Sequence, residues 1–352
     1  MRERAQIESL VPALLALVTL AGCLGPLDNP TTVRDLRILG IALDPPEITF
    51  PVHGGGGAGG LSCQPDFSPI AAVPTVHLQA LVGDPAGQGR SLHFTFTGCP
   101  QTGTEICPDG GGYVLAEGDA PAPLLSAQWA LGAMVVAEVS PPQACAAPQN
   151  CPATPLVAAF ASNPLGLCRF GVWFQVGLQV DAPDGQTIYG SKLMVFTPVP
   201  DDYPSDPAIC PQGPAGGPPP HTNPRIEALE LDGQALPLDS APVVSASVSH
   251  TLTPLEPSSG PQPYCLPTYD GNWVNLTETW VFSAVTDVGQ FDRLEVGGAA
   301  APGSDQLGKS TDLNFTWTFP DGGPGRTADL YAVTRDGRGG TSWIIRHAAV
   351  TP

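Results

Sequence analysis

Short stretches of alternating apolar and polar residues recur along the chain, and each has the two-residue period of a β-strand with one buried face. Residues 76–82 and 92–96 place apolar side chains at every second position on either side of a turn at Gly83-Asp84-Pro85, which predicts a hairpin. The same period predicts further strands over 36–43, 47–52, 113–117, 133–139, 170–180, 187–197, 243–252, 276–285, 313–319, 328–334 and 342–350.

A proline-rich segment separates the two halves of the chain. Ten prolines lie between Pro198 and Pro224 without apolar periodicity. Residues 225–232 share Arg, Ile and Asp with residues 37–44 at matched positions, which indicates two related domains that open on the same strand. Because the 352 residues include 41 Gly and 42 Pro, long helices are disfavoured. The sequence therefore predicts an all-β fold, with two immunoglobulin-like β-sandwich domains in tandem joined by a Pro-rich linker.

The first residues have the layout of an export signal, in which a basic start precedes an apolar run over 10–20 that is too short to span a bilayer. The run ends in Leu20-Ala21-Gly22-Cys23, which resembles the lipobox of bacterial lipoproteins. That resemblance implies lipid attachment at Cys23, and Leu24 in place of Asp after it implies the outer membrane. A short tether and a stiff linker would hold the first domain near the membrane and project the second outward. The predicted segments are a signal peptide at 1–22, a lipidated Cys and tether at 23–32, a disulfide-braced β-sandwich domain at 33–200, a Pro-rich linker at 201–224 and an immunoglobulin-like β-sandwich domain at 225–352.

Eight of the nine cysteines remain once Cys23 is set aside, and an even number in an exported chain predicts disulfides. Many pairings of eight cysteines are possible, so the connectivity stays open. Only Cys265 lies beyond residue 210, so if all eight cysteines pair, it pairs with an earlier one, and Cys210 is the nearest. The proposed pairs are Cys210–Cys265, Cys99–Cys107, Cys145–Cys151 and Cys63–Cys168.

The charge of the chain argues against one class of partner. The formal net charge is −19 and the isoelectric point is near 4.4, whereas nucleic-acid binding needs clustered Lys and Arg. Residues 303–310 match the P-loop pattern, but the flanking sequence lacks the strand and helix that a nucleotide site needs. We therefore expect neither nucleic acid, nor nucleotide, nor another cofactor.

His77 and His93 are candidates for a metal site. Both lie on the polar face of the predicted hairpin, where a register pairing 77 with 93 would set them side by side for Zn²⁺ or Cu²⁺. The alternative is two solvated strand residues. The sequence contains no recognisable catalytic motif, so no catalytic residue is predicted. Four tryptophans are interpreted as core or sandwich-edge residues in preference to a sugar platform: Trp273, Trp280, Trp317 and Trp343.

Several short segments form a recognisable set, of which 331–343, with Asp336-Gly337-Arg338-Gly339-Gly340 at its centre, is the most specific. The others are Leu36-Arg37-Ile38-Leu39, Asp44-Pro45-Pro46-Glu47, Leu81-Val82-Gly83-Asp84-Pro85, Cys99-Pro100 and Asn223-Pro224. Together they resemble cysteine-containing bacterial envelope lipoproteins of the myxobacterial type, a group without an assigned activity. The resemblance implies location and tandem β-sandwich domains, but no chemistry.

These observations predict a non-enzymatic, membrane-anchored envelope lipoprotein that serves as a structural, adhesion or protein-binding module, with other envelope proteins or polymers as partners. The alternative is an extracytoplasmic protein that binds a sugar or metal, or a hydrolase, with a site built from loops. A cleft lined by converging carboxylates or histidines would favour the alternative, whereas a convex surface would favour the structural module.

Overall fold

The computed structural model describes residues 29–53, 64–66, 75–100, 113–131, 171–213, 216–268, 271–297, 312–322 and 325–352. Within these ranges the regular elements are all β-strands, which form five sheets, and none is a helix that could cross a bilayer. The all-β prediction is confirmed. The immunoglobulin-like assignment and the domain bounds stay predictions.

The described strands of the first half surround one hydrophobic core. They are β1 (Arg37–Asp44), β2 (Glu47–His53), β3 (Gln64–Pro65), β4 (Val76–Gly83), β5 (Ser91–Pro100), β6 (Tyr113–Pro121), β7 (Leu124–Trp129), β8 (Val172–Asp181) and β9 (Thr187–Pro200). One sheet has the order β1-β4-β7, and the larger sheet has the order β3-β2-β9-β8-β5-β6. Buried side chains from both sheets, such as Leu78 and Phe174, belong to one cluster. The two sheets therefore pack as a sandwich.

The predicted hairpin over 76–82 and 92–96 is wrong, although both strands exist. β4 pairs with β1 and β7 in the smaller sheet, whereas β5 pairs with β6 and β8 in the larger one. Alternation shows that each strand has one apolar face. Two such strands can lie side by side in one sheet or face each other across a core, and the pattern is the same in both cases.

The predicted metal site at His77 and His93 fails together with the hairpin. His77 lies opposite Asp44 in the smaller sheet, and His93 lies opposite Asp119 in the larger one. His93 Nδ1 is 3.2 Å from Oδ1 of Asp119. The two histidines are thus exposed strand residues in different sheets, which is the alternative interpretation of the sequence.

The second half has its own core. Its described strands are β10 (Ala228–Leu231), β11 (Gln234–Ala235), β12 (Val243–Ser245), β13 (His250–Leu255), β14 (Pro263–Pro267), β15 (Trp273–Thr277), β16 (Val281–Thr286), β17 (Gln290–Phe291), β18 (Glu295–Gly297), β19 (Phe315–Thr318), β20 (Thr327–Arg335) and β21 (Thr341–Thr351). Two five-stranded sheets, β11-β10-β13-β19-β17 and β12-β21-β20-β16-β18, enclose a cluster that includes Phe282 and Trp317. β14 and β15 form a separate hairpin. The predicted strand over 243–252 divides into β12 and β13, which belong to opposite sheets.

A disulfide joins Cys210 to Cys265, whose Cα atoms are 5.5 Å apart. The parity of the cysteines predicts this pair, and the bond ties the proline-rich segment to β14. Cys99 is also disulfide-bonded. Several predictions lie outside the described residues: Cys23, Cys63, Cys107, Cys145, Cys151, Cys168, the strand over 133–139 and the P-loop match at 303–310.

The two halves pack against each other. Thr32, before β1, forms a parallel bridge with Thr286 of β16, and the N–H of Phe291 donates to Thr31 Oγ1 at 2.8 Å. The linker therefore does not hold the two halves apart, because buried apolar contacts and hydrogen bonds join them. The projection of the second domain away from a membrane stays a prediction. The apolar part of this junction consists of Val33, Leu39, Leu81, Val285, Tyr331 and Val333.

Candidate ligand-binding cleft

A cleft with a volume of about 1180 Å³ opens where the two halves meet; we call it the junction cleft. Its lining comes from β1, from β2, β8 and β9 of the larger sheet, from the proline-rich segment, from the β14–β15 hairpin and from the turn between β20 and β21. Pockets for drug-sized ligands measure roughly 300–1,000 Å³. The junction cleft is therefore large enough for an oligomeric ligand.

Two aromatic side chains of the larger sheet are exposed in the cleft. Trp173 on β8 is 53% exposed and Tyr189 on β9 is 73% exposed. Both occupy outward positions of strands whose alternate residues turn inward. The register sets Trp173 opposite Val195, and Val195 opposite Glu47, so these three residues form one row across the sheet. Exposed aromatic surface in a concave site favours ligand contact.

Further aromatic residues come from the proline-rich segment and the hairpin. The rings of Tyr203 and Trp273 meet edge to face with centroids 5.1 Å apart. The guanidinium carbon of Arg338 lies 4.3 Å from the centre of the Tyr264 ring, within cation–π range. Because the Cys210–Cys265 bond joins the same two segments, these aromatic groups are held against one another.

Four tryptophans are expected to be core or sandwich-edge residues, and this is correct for all of them except Trp273. Trp280 and Trp317 are buried in the second core. Trp343 is partly buried and packs on the junction cluster. Trp273, in contrast, lines the junction cleft, where it is available to a ligand.

Positively charged side chains outnumber carboxylates in the cleft, although carboxylates outnumber positive side chains in the whole chain. Lys192, Arg335 and Arg338 line it together with a single carboxylate among the described residues, Glu47. The chain as a whole has 14 Lys and Arg against 33 Asp and Glu. The cleft is therefore a locally cationic site on an acidic protein.

A buried ionic network lies beside the cleft. His221 Nε2 is 2.7 Å from Asp336 Oδ2 and 3.4 Å from Glu278 Oε1. Its Nδ1 is 3.2 Å from Glu47 Oε2, an ion-pair contact without hydrogen-bond geometry. Arg338 donates to Glu278 at 3.2 Å and also to Glu47. We call these five residues the junction network. It joins β2, the proline-rich segment, the link between β15 and β16, and the β20–β21 turn.

The turn between β20 and β21 fixes Asp336 and Arg338. Asp336 Oδ1 accepts hydrogen bonds from the backbone N–H groups of Arg338 and Gly340, each at 2.8 Å. Gly337 has φ of 78° and Gly339 has φ of 111°, which favour glycine. A Cβ on Gly340 would come within 1.9 Å of Asp336 Oδ2. The glycines of the predicted turn therefore allow the chain to reverse, and the absence of a Cβ at Gly340 leaves room for the Asp336 carboxylate.

The network shifts the pKa values of its members in opposite directions. Burial alone would raise the pKa of Glu47 and of Asp336, but contacts with His221 bring both below their ordinary values, helped at Glu47 by the charge of Arg338. Burial would lower the pKa of His221, yet its contacts with Asp336 and Glu47 raise it. Burial raises the pKa of Glu278. The arrangement favours an imidazolium between two carboxylates.

His221, Glu278 and Asp336 also form a donor set for a metal ion, because each offers a ligand atom within 4.8 Å of the others. Arg338 already brings positive charge to Glu278 and Glu47. The carboxylates of the junction network already have positively charged partners within the protein, so we interpret the network as an ion-pair cluster that joins the two halves.

Lys192 is a largely buried cation at the cleft. Its Nζ donates to the hydroxyl of Thr341 at the start of β21. Burial lowers the pKa of Lys192 to about 8; Asp336 opposes this shift and Arg335 adds to it. The ion pairs among the described residues do not include Lys192.

The residues of the cleft differ from those that sequence patterns single out. Of the predicted site residues that the structure describes, only Cys265 lines the cleft, as part of the disulfide. Two signals are nonetheless present in the sequence: Trp173 interrupts the polar face of a strand, and Lys192 is one of only two lysines. Neither signal says which distant residues lie nearby.

Comparison with family models gives no match, and comparison with curated proteins gives none either. Among solved structures, the chain is similar at 10% identity and a TM-score of 0.16 to a 1.5-MDa bacterial ice-binding adhesin, over 86% of this chain and 64% of that one. It thus spans less than two thirds of that structure.

Two further solved structures match over 91% of this chain. One is a Ca²⁺-stabilised adhesin with which an Antarctic bacterium binds ice, at 9% identity and a TM-score of 0.17, over 75% of that chain. The other is SGBP-B of the Bacteroides ovatus mixed-linkage glucan utilization locus, in complex with a heptasaccharide, at 12% identity and a TM-score of 0.17, over 71% of that chain. At TM-scores this low, the likeness carries no argument about function.

Proposed function

We propose that this protein is a non-enzymatic module that binds a carbohydrate chain in the junction cleft. The observation that carries the proposal is the exposure of Trp173 and Tyr189 on the outer face of the larger sheet, inside the cleft. The C–H faces of sugar rings pack on aromatic rings, whose faces carry partial negative charge. Sugar hydroxyl groups also need hydrogen-bond partners, and Glu47, Thr49 and Arg338 provide acceptors and donors there.

Binding has better support than hydrolysis. Most glycoside hydrolases use two carboxyl groups that flank the scissile bond. Among the described lining residues of the cleft only Glu47 is a carboxylate, and Arg338 and His221 contact it. A carboxylate held in this way is suited to a fixed hydrogen-bonding role.

The proposal extends to the finer features that the sequence predicts. These are lipid attachment at Cys23, an outer-membrane location, two immunoglobulin-like domains and the likeness to envelope lipoproteins of the myxobacterial type. In such a location the carbohydrate would be a polymer of the envelope or its surroundings, so binding would serve adhesion or assembly.

The test is binding of the full chain to a glycan panel, followed by substitution of the cleft aromatics. We expect at least one glycan class to bind, and Trp173→Ala and Tyr189→Ala each to weaken it about tenfold, as for aromatic anchors in other interfaces. The matched control is Tyr113→Ala, because Tyr113 lies on β6 outside the cleft. Failure to bind any glycan, or binding that both cleft variants leave unchanged, would refute the proposed function.

A further inference from the structure

Lys192 carries a positive charge that the described part of the protein does not pair. Its Nζ donates to a neutral hydroxyl, that of Thr341. The carboxylate whose charge acts on it, that of Asp336, is already engaged by His221 and by the N–H groups of Arg338 and Gly340. A largely buried ammonium group without a counter-ion is energetically unfavourable.

Arg335 places a second cation beside Lys192. Its guanidinium donates to Ser283 Oγ at 2.9 Å and to the carbonyl of Leu39 at 3.2 Å, and its nearest carboxylate oxygen, on Glu295, is 3.9 Å away. The Arg335 side chain remains 42% exposed. Two neighbouring cations with neutral or distant partners thus line the same cleft, and their mutual repulsion adds to the cost of burial.

Arg338 does not share this property. It pairs with Glu47 and Glu278 and stacks on Tyr264, so its charge is compensated within the protein. The least compensated charges of the cleft therefore lie at Lys192, which has no ion pair among the described residues, and at Arg335, whose carboxylate partner is 3.9 Å away.

We propose that the ligand is an acidic polysaccharide, and that a carboxylate of one of its sugar units pairs with Lys192 and Arg335. This inference rests on the proposed carbohydrate-binding function. The aromatic residues would contact the sugar rings, while the two cations distinguish acidic chains from neutral ones. Recognition of this kind depends on charge complementarity, which contributes specificity.

The experiment compares two ligands with the same backbone. Oligomers of polygalacturonate and their methyl esters share one backbone, and esterification replaces each carboxylate charge with a neutral methyl ester; oligomannuronate and a neutral β-glucan complete the panel. We expect the full chain to bind an acidic oligomer at least tenfold more tightly than its methyl ester. Lys192→Met should reduce this ratio to near one, Lys192→Arg should retain most of it, and Trp173→Ala should weaken both ligands alike.

The control variant is Arg326→Gln, because Arg326 is an exposed cation outside the cleft that pairs with Asp287. It should leave the ratio unchanged. Equal affinity for acid and ester, or binding of the neutral glucan alone, would overturn the acidic-ligand inference while the proposed function stands. Failure of every glycan to bind would overturn both.

Discussion

Lys192 keeps an ammonium group in a largely buried position, and this has a measurable energetic consequence. The fall of its pKa from 10.5 to about 8 corresponds to roughly 3 kcal/mol of unfavourable free energy. The hydrogen bond to Thr341 offsets about 1 kcal/mol. Replacement by an uncharged side chain should therefore stabilise the fold, as at binding sites where function conflicts with stability.

We expect Lys192→Met to raise the free energy of unfolding at pH 7 by about 2 kcal/mol. Because the folded pKa is lowered, the unfolded chain binds the proton more tightly between pH 8 and 10.5. Wild-type stability should thus recover across that range, and the advantage of the variant should shrink by pH 10. Urea unfolding at both pH values measures this. A variant that is less stable than wild type at pH 7 would contradict the expectation.

At the scale of elements, the β14–β15 hairpin depends on the disulfide. A two-stranded hairpin alone is marginally stable in water, and this one belongs to neither five-stranded sheet. The bond between Cys210 and Cys265 closes a loop with a sequence separation of 55, for which chain entropy gives an upper value of about 4 kcal/mol.

We expect the double variant Cys210→Ser, Cys265→Ser to increase hydrogen exchange in residues 263–277 and to weaken glycan binding, because Tyr264 and Trp273 would lose their fixed positions. Amide protons of β8 and β20, within the two cores, provide the internal control and should keep their protection. Unchanged exchange in the hairpin would show that its packing alone is sufficient.

The elements also show how far sequence reasoning reaches. The two-residue period identifies the inward residues of β4 and β5, but it does not say that the strands lie in opposite sheets. Parity of the cysteines predicts the Cys210–Cys265 bond because only one cysteine follows residue 210. The cleft was beyond prediction, since Glu47 and Trp173 lie in one row, on either side of Val195, only through the register of strands that are far apart in the sequence.

At the scale of the whole molecule, the junction network couples the two halves to pH. The pKa of His221 is raised, so its contribution to stability is complete below 6.5 and is lost as pH rises through the folded value. Glu47 and Asp336 have lowered pKa values, so their contributions are present above 4.5 and 3.8 and are lost as pH falls through the folded values. The network should therefore stabilise the junction most between about pH 4.5 and 6.5.

We expect His221→Gln to lower the free energy of unfolding by about 3 kcal/mol at pH 5.5, because it leaves Asp336 without its cation and Glu47 with Arg338 alone. The difference from wild type should narrow at pH 9. The matched control is His347→Gln, which removes an exposed pair with Asp329 and should change stability by less than about 1 kcal/mol at either pH. A pH-independent difference would show that His221 acts through packing and not through charge.

The segment before β1 determines how the molecule would bear a mechanical load. The N–H of Val33 donates to the carbonyl of Thr286, the N–H of Thr286 donates to the carbonyl of Thr31, and Thr32 Oγ1 donates to the carbonyl of Gly289. A force that pulls on the chain ahead of Asn29 therefore enters the second core directly, through bonds that run beside an edge of β16 and β17. The first core, although nearer in sequence, would be loaded only after this contact had sheared.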